Sequence, residues 1–263
     1  MSSRNGQVAV VTGAGRGMGR EIAQSLAGAG AQVIACSRTA PDLEATVDEA
    51  PAGGSILAWP CDVGVPQQVD ALFDEVVERF GRIDVLVCSH GIYEGDRDAL
   101  ELPLEQFDRT MTINVRGTLH CAQRAGMAMR ANGRGGRIVL ISSINGEASQ
   151  AGALDYDTSK AAVNGLARAL AVELAHEGIT VNAIAPGWVR TPMSAGELEH
   201  LEAAGVAVNP SGRVGEPEDI ALAVMWLTDP ANGYVTGTVI RVDGGQRAML
   251  GDPSSVAIGN PSM

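Results

Sequence analysis

Aromatic side chains are scarce in this sequence: three Phe, three Trp and three Tyr, or 3% of 263 residues. A core short of rings has to be filled by Ala, Val, Leu and Ile. That suits helices packed closely on a sheet better than an all-β sandwich, which favours aromatic and β-branched side chains. Cysteine is sparse too. Cys36, Cys61, Cys88 and Cys121 lie far apart with no Cys-x-x-Cys pair, so neither a disulfide framework nor a metal site is indicated. They read as buried free thiols in a reducing compartment. Basic charge is in deficit: 19 Lys and Arg stand against 31 Asp and Glu, a net charge of −12. An acidic surface repels phosphate backbones and disfavours general nucleic-acid binding, while leaving room for a local phosphate pocket. No window approaches the roughly 18 apolar residues of a membrane span. Residues 1–15 carry no apolar stretch of secretory-signal type. The expected setting is cytoplasmic, with no nucleic-acid partner, no membrane partner and no metal.

What is present is a repeating pattern. Hydrophobic residues make up 45% of the chain and charged residues 19%, the balance of a folded globular protein. Short apolar runs at 7–12, 32–37, 55–61, 83–89, 136–142, 180–185 and 239–242 are apolar throughout rather than alternating, as expected for strands covered on both faces. Helical spacing fills the gaps. One helix is expected at 18–28 and one at 66–80, with Val69, Leu72, Phe73, Val76 and Val77 on one face. Phe107, Met111, Val115 and Leu119 step by four through a long helix, and Val163, Leu166, Leu170 and Leu174 through another. The alternation predicts an α/β fold: a Rossmann-type doubly wound parallel β-sheet of about seven strands with helices on both faces. No repeat or low-complexity linker interrupts it, so residues 1–247 are expected to form one dinucleotide-binding and catalytic domain. Residues 248–263 are expected to be a tail, either frayed or strapped onto a neighbouring subunit.

The first apolar run ends in Thr12-Gly13-Ala14-Gly15-Arg16-Gly17-Met18-Gly19 and passes directly into a helix. Glycines without Cβ let backbone approach a pyrophosphate, and a helix N-terminus supplies N–H groups and a positive dipole end. In such folds an acidic residue about 20 positions on accepts the adenosine ribose hydroxyls. Here Ser37 occupies that place, with Arg38 beside it and Arg16 in the loop. Two guanidinium groups and no carboxylate favour a 2′-phosphate, so NADP(H) is preferred and NAD(H) is the alternative. Asp62, followed by Val63, closes the third run, where its carboxylate either meets the adenine amino group or caps the next turn.

Tyr156 and Lys160 are four apart on a helical pattern and share one face. An ammonium near a phenol favours phenolate and lowers the phenol pKa, which suits a proton donor to a nascent alkoxide near neutral pH. Ser142 and Ser143 close the fifth run, at the strand ends where ligands bind in open α/β sheets.

With these residues in view, the sequence resembles the short-chain dehydrogenase/reductase family. It is most like its 3-oxoacyl-[acyl-carrier-protein] reductase-like and secondary-alcohol dehydrogenase members. The match runs in order from Gln7 to Gly245. Thr12-Gly13-x-x-x-Gly17-x-Gly19 resembles the cofactor fingerprint, and Ser143, Tyr156-x-x-x-Lys160 and Asn114 match the catalytic set. Pro186, Gly187, Val189 and Thr191 match the segment near the nicotinamide, and Val242-Asp243-Gly244-Gly245 the usual ending. One departure stands out. Where the family reads Asn-Asn-Ala-Gly, this chain reads Cys88-Ser89-His90-Gly91. Gly91 keeps the close backbone approach. Cys88 cannot supply the asparagine's hydrogen bonds, and His90 is either a structural variant or a cofactor or substrate contact.

The resemblance implies that Ser143 holds the carbonyl oxygen and that Tyr156 donates the proton. Lys160 would bind the nicotinamide ribose and lower the Tyr156 pKa, and Asn114 would hold a water relaying protons to Lys160. The leading expectation is an NADPH-dependent reductase of ketones or 3-oxoacyl groups. Alternatives are an NAD-dependent secondary-alcohol, polyol or sugar dehydrogenase and a non-catalytic dinucleotide sensor or scaffold. The substrate pocket is expected from residues 93–97, 146–153, Trp188 and a lid at 193–210; Glu147 would repel anions there were it turned inward, its direction being left open by the sequence. The family commonly forms tetramers, so a homotetramer, or a homodimer, is expected.

Overall fold

The computed structural model describes residues 3–205 and 208–249. Seven strands, β1 Val8–Thr12, β2 Gln32–Ser37, β3 Ser55–Pro60, β4 Val85–Cys88, β5 Gly136–Ile141, β6 Ile179–Pro186 and β7 Val239–Val242, form one sheet in the order β3-β2-β1-β4-β5-β6-β7. Every pairing is parallel. The expected strands are all there, with ends shifted by at most two residues.

Alternation of side chains along each strand splits the core into two layers. Val8 and Val10 of β1 face one layer, and Ala9 and Val11 face the other. The first layer is covered by α3 (Pro66–Phe80), α5 (Thr118–Asn132) and α6 (Leu154–Leu174). The second is covered by α1 (Gly17–Gly28), α2 (Ala40–Asp48) and α8 (Pro217–Leu227). Burial on both faces holds for β1, β4 and β6, every residue of which is buried. It fails for β3, where buried and exposed residues mix, and for β7, which has no buried residue. These are the two edge strands, and the expectation of full coverage is corrected there.

The helices follow their local chemistry. In α3, Pro66 occupies the first turn, Val69, Leu72, Phe73 and Val76 are buried on one face, and Gly81 ends the helix in the left-handed region at φ 71°. In α8, Pro217 starts the helix, and Glu216 and Asp219 close a reciprocal capping box. The long helix expected through residues 107–119 is not uniform. It begins as α4 (Leu104–Met111), widens into a π-helical stretch at Thr112–Gly117, and continues as α5. The apolar spacing of four conceals this widening, which sits on Asn114. Three helices were not expected from the sequence: α2, α8, and α7 (Ala195–Ala203), which lies inside the expected lid. Chain order reverses between β1 and β4, opening the crevice in which such sheets bind ligands. The expected tail from 248 starts in a short turn at Gln246–Ala248. Its remainder from 250 lies outside the described residues.

Candidate active site

The glycine loop lies at the mouth of this crevice. Gly13 has φ 69°, and a Cβ there would come within 2.6 Å of the His90 backbone nitrogen. The loop therefore lies backbone against backbone on the segment after β4, which only glycine permits. Arg16 precedes α1 in extended conformation with no side-chain cap, leaving the first amides of the helix for an anion. A cleft runs along the loop. It is lined by Gly13, Gly15, Arg16, Gly17, Met18 and Gly19 on one side, and by Ser37, Arg38, Asp62, Val63, Ser89, His90 and Gly91 on the other.

Next to it, His90 bridges two elements. Its Nδ1 lies 2.6 Å from Thr12 Oγ1 and its Nε2 lies 3.1 Å from Thr118 Oγ1. The Thr118 hydroxyl donates to the Asn114 carbonyl at 2.8 Å, so it accepts from Nε2–H, and Nδ1 is left to accept from Thr12. With burial keeping the ring neutral, these contacts place its proton on Nε2. Burial, followed by the charge of Lys160, holds the imidazole down at about 3. His90 joins the end of β1 to the start of α5, a brace two residues after Cys88, which stands where the family has its bracing asparagine. Of the two expectations for His90, the structural one accounts for both ring nitrogens.

At the far wall, Arg16 and Arg38 are exposed and form no ion pair with any described residue. Sequence reasoning overlooked Asp42. It lies in the first turn of α2 and lines the same cleft. A Cβ on Gly15 would meet Ser37 Oγ at 2.7 Å and Asp42 Cβ at 2.8 Å, which brings the three together. Asp62 spends one carboxylate oxygen on its own turn, accepting from the Gly64 amide at 2.8 Å.

Tyr156, Lys160 and Ser159 rise from the first turns of α6. Tyr156 faces Ser143, whose hydrogen bond favours the phenolate, but burial outweighs it and, with Asp157, pushes the phenol up to about 12. The expected lowering by Lys160 is absent in the protein alone. The ammonium stands 5.5 Å from the Tyr156 ring centre and donates to the Ile141 carbonyl at 2.9 Å. Burial pulls Lys160 itself down to about 8. Ser143 Oγ also accepts from the Asn145 amide at 3.1 Å, so it caps a turn as well as meeting the phenol. Ser142 is structural, donating to the Lys160 carbonyl at 3.1 Å.

Asn114 is nearly inaccessible, and its side chain works as a clamp. It accepts from Ile92 N at 2.8 Å and donates to Ile92 O and to Ser159 Oγ, both at 3.0 Å. Ser159 in turn donates to the Tyr156 carbonyl at 2.7 Å. The amide therefore ties the segment after β4 to the helix that carries the phenol.

A second cavity opens over Tyr156 and Ser143. Its walls include Tyr93, Asp96, Gln150, Ala153, Trp188 and Met193 from the expected regions, joined by Pro186, Gly187, Val189 and Thr191. Thr191 and Met18 border both spaces, so the two cavities adjoin. Lys160 and Asn114 line neither. Asn145 and Gln246 line the second cavity without having been expected. Glu147 does not line it: its carboxylate pairs with Arg241 of β7, so it is not turned inward to repel anions there. Tyr93 meets Tyr156 edge to face with ring centres 5.4 Å apart.

The cleft suits a dinucleotide on its own chemistry. The loop packs too closely for a Cβ at Gly13, Gly15 or Gly19, the helix amides lack a side-chain cap, and Ser89 Oγ is buried without a partner at the crevice. Comparison with known proteins agrees. The family described as Enoyl-(Acyl carrier protein) reductase matches residues 13–247. The "Short-chain reductase protein NovJ" of Streptomyces niveus is 42% identical over 247 residues, covering 91% of this chain and 93% of that protein. A short-chain type dehydrogenase/reductase from Mycobacterium marinum has a TM-score of 0.89 at 37% identity, covering 94% of this chain and 98% of that one. A putative 2-deoxy-d-gluconate 3-dehydrogenase from Agrobacterium tumefaciens with bound NADP has a TM-score of 0.86 at 35% identity, covering 94% and 98%.

The chain belongs to the short-chain dehydrogenase/reductase family. It is an NAD(P)-dependent oxidoreductase acting on CH–OH and C=O groups. No helix among the described residues is long and apolar enough to cross a membrane, and no group of His, Cys, Asp and Glu among them could hold a metal ion.

Proposed function

We propose that the protein is an NADPH-preferring carbonyl reductase for ketones or 3-oxoacyl groups, with Ser143, Tyr156, Lys160 and Asn114 as its working set. The observation that carries this reading is the half-buried Tyr156 side chain, which lines with Ser143 a cavity that adjoins the glycine-loop cleft. A bound nicotinamide supplies or accepts the hydride. The remaining work falls to the chain. Ser143 donates to the carbonyl oxygen and fixes its position. Tyr156, which burial keeps protonated, gives its proton to that oxygen as negative charge develops. Lys160 lies beneath Gly91, whose Cβ position is 3.4 Å from Nζ, and offers its ammonium to the ribose hydroxyls. Asn114 keeps Gly91-Ile92 and α6 in register. Oxidation of an alcohol runs the same steps backward.

Arg16 and Arg38 support NADP(H), since each offers a free guanidinium to a 2′-phosphate. Asp42 supports the second reading, an NAD(H)-linked dehydrogenase, because a carboxylate opposes a phosphate and accepts ribose hydroxyls. Assembly as a homotetramer fits the exposed Met127 on α5, Val172 on α6, and Leu222 and Trp226 on α8, and light scattering tests it. The functional test is a panel of ketones and secondary alcohols assayed with NADPH, NADH and their oxidised forms at the reduced-nicotinamide absorbance band. Ketone reduction faster with NADPH, and a fall of about 10²–10⁴-fold in Tyr156→Phe, is the expected result. Dinucleotide binding without turnover across the panel would point instead to a sensor.

A further inference from the structure

The cavity over Tyr156 is unbalanced in charge. Among its lining residues are two carboxylates, Asp96 and Glu197, and no Lys, Arg or His. Several carboxylates elsewhere on this acidic protein have cationic partners. Glu94 pairs with Arg109, Glu147 with Arg241, and both Glu202 and Glu216 with Arg190. Asp96 and Glu197 take part in no ion pair with any described residue. Arg97, next in sequence to Asp96, turns its guanidinium to the Asp96 backbone carbonyl rather than to a carboxylate. The nearby guanidinium groups are therefore engaged elsewhere, and the two charges at the rim are left over.

The two carboxylates bear on one spot. Tyr93 donates its hydroxyl proton to Asp96; burial first, then this bond and the charges of Asp96, Glu197 and Asp155, push the Tyr93 phenol up. With its proton committed, Tyr93 presents only lone pairs to a ligand. Its ring lies edge to face with Tyr156, so this acidic corner sits one aromatic ring away from the proposed proton donor. An independent observation points the same way. Gln246 lines the cavity, and its Oε1 is buried without a hydrogen-bond partner. A Cβ on Gly187 would come within 3.1 Å of it, which places it at the nicotinamide end. Trp188 adds an aromatic face. A wall with unpaired acceptors, aromatic surface and no cation binds a positively charged donor and rejects an anion.

We infer that this pocket takes a ketone or secondary alcohol that carries a protonated amine, held by Asp96 and Glu197 against Tyr93 while the carbonyl oxygen lies at Ser143 and Tyr156. The inference rests on the carbonyl-reductase reading and narrows it to cationic substrates. Both carboxylates are solvent-exposed at the rim, so their attraction is screened and the discrimination is moderate.

The test uses matched cyclohexanones substituted at C4 with aminomethyl, methyl or carboxylate, and a second amine series two carbons longer. Each is measured for kcat/KM and for binding by calorimetry. The expected result is that the better amine exceeds the methyl compound about three- to tenfold at low ionic strength and that the carboxylate is the poorest. The advantage of the amine shrinks toward unity in 0.5 M salt, and also in Asp96→Asn and Glu197→Gln, mainly through KM. Amine and methyl ketones turned over equally well, or an amine preference untouched by both substitutions, would overturn the inference while leaving the reductase reading intact. Absence of turnover with all ketones, together with amine binding that is tighter than methyl and lost in both variants, would instead sink the reductase reading and keep the cationic pocket.

Discussion

Thr12 Oγ1 and His90 Nδ1 stand 2.6 Å apart, joining the residue that opens the glycine loop to the residue that replaces the family's usual alanine. Through Thr118 the same imidazole reaches the Asn114 carbonyl. The dinucleotide cleft and the clamp on α6 thereby share one hydrogen-bonded chain.

His90→Gln breaks the bridge, because one amide cannot span both threonines. Loss of a buried bridge of this kind costs about 1–3 kcal/mol, readable as a lower urea midpoint, and dinucleotide affinity measured by calorimetry falls with it. The pH dependence is a sharper check. Held at about 3 in the folded protein against about 6.5 unfolded, the ring binds protons first in the unfolded state. Stability is full above about pH 6.5 and is lost as pH falls toward 3. That part of the acid loss is missing in His90→Gln.

Lys160 gives a second pH signature. Its ammonium is pulled to about 8 by burial, whereas the unfolded chain titrates near 10.4. Between these values the unfolded state holds more protons, so stability rises with pH across the window. Lys160→Met has no such term. The stability of the variant relative to wild type is therefore expected to be most favourable below pH 8, and to decline by a few kcal/mol toward pH 10.5. Chemical denaturation at several pH values measures it.

Asn114→Ala removes three hydrogen bonds, two to Ile92 and one to Ser159. About 1–3 kcal/mol of stability is at stake for the polar groups left unpaired. Because the clamp holds α6 to Ile92, which itself lines the cleft, kcat is expected to fall and the KM for either nicotinamide to rise. Steady-state kinetics beside a thermal melt separates the two effects.

Cofactor choice lies between Arg16, Arg38 and Asp42. Arg38→Glu is expected to weaken NADPH by about tenfold or more and NADH much less, since only the former loses a phosphate partner. Asp42→Asn is expected to improve NADPH and weaken NADH. The ratio of the two kcat/KM values is the measurement. An unchanged ratio in both variants would place the adenosine end elsewhere.

Much of this was legible in residue order. The glycine loop announced itself because Gly13 and Gly19 stand between a strand and a helix. Tyr156 and Lys160 were legible because a spacing of four on a helix dictates a shared face. The lining of the cleft by the 13–19 loop, Ser37 and Arg38 followed from the strand–turn–helix pattern. Asp42 was missed because a carboxylate in a first helical turn looks like ordinary capping. Asp96 and Glu197 were not singled out because they are about 100 residues apart and meet only across the cavity. The π-helical turn at Asn114 was hidden because one added residue in a helical turn leaves the apolar spacing nearly unchanged.

Taken alone, the sequence determined the local terms: which segments are strands or helices, where backbone must come close, and which side chains share a helix face. These depend on periodicity and on stereochemistry within a few residues. Only the tertiary structure decided that His90 is a neutral strut, that the Tyr156 phenol lies high rather than low, and that two rim carboxylates lack partners. Those outcomes rest on burial and on distances between segments far apart in the chain, and desolvation and Coulomb interactions are set by the folded environment rather than by residue identity.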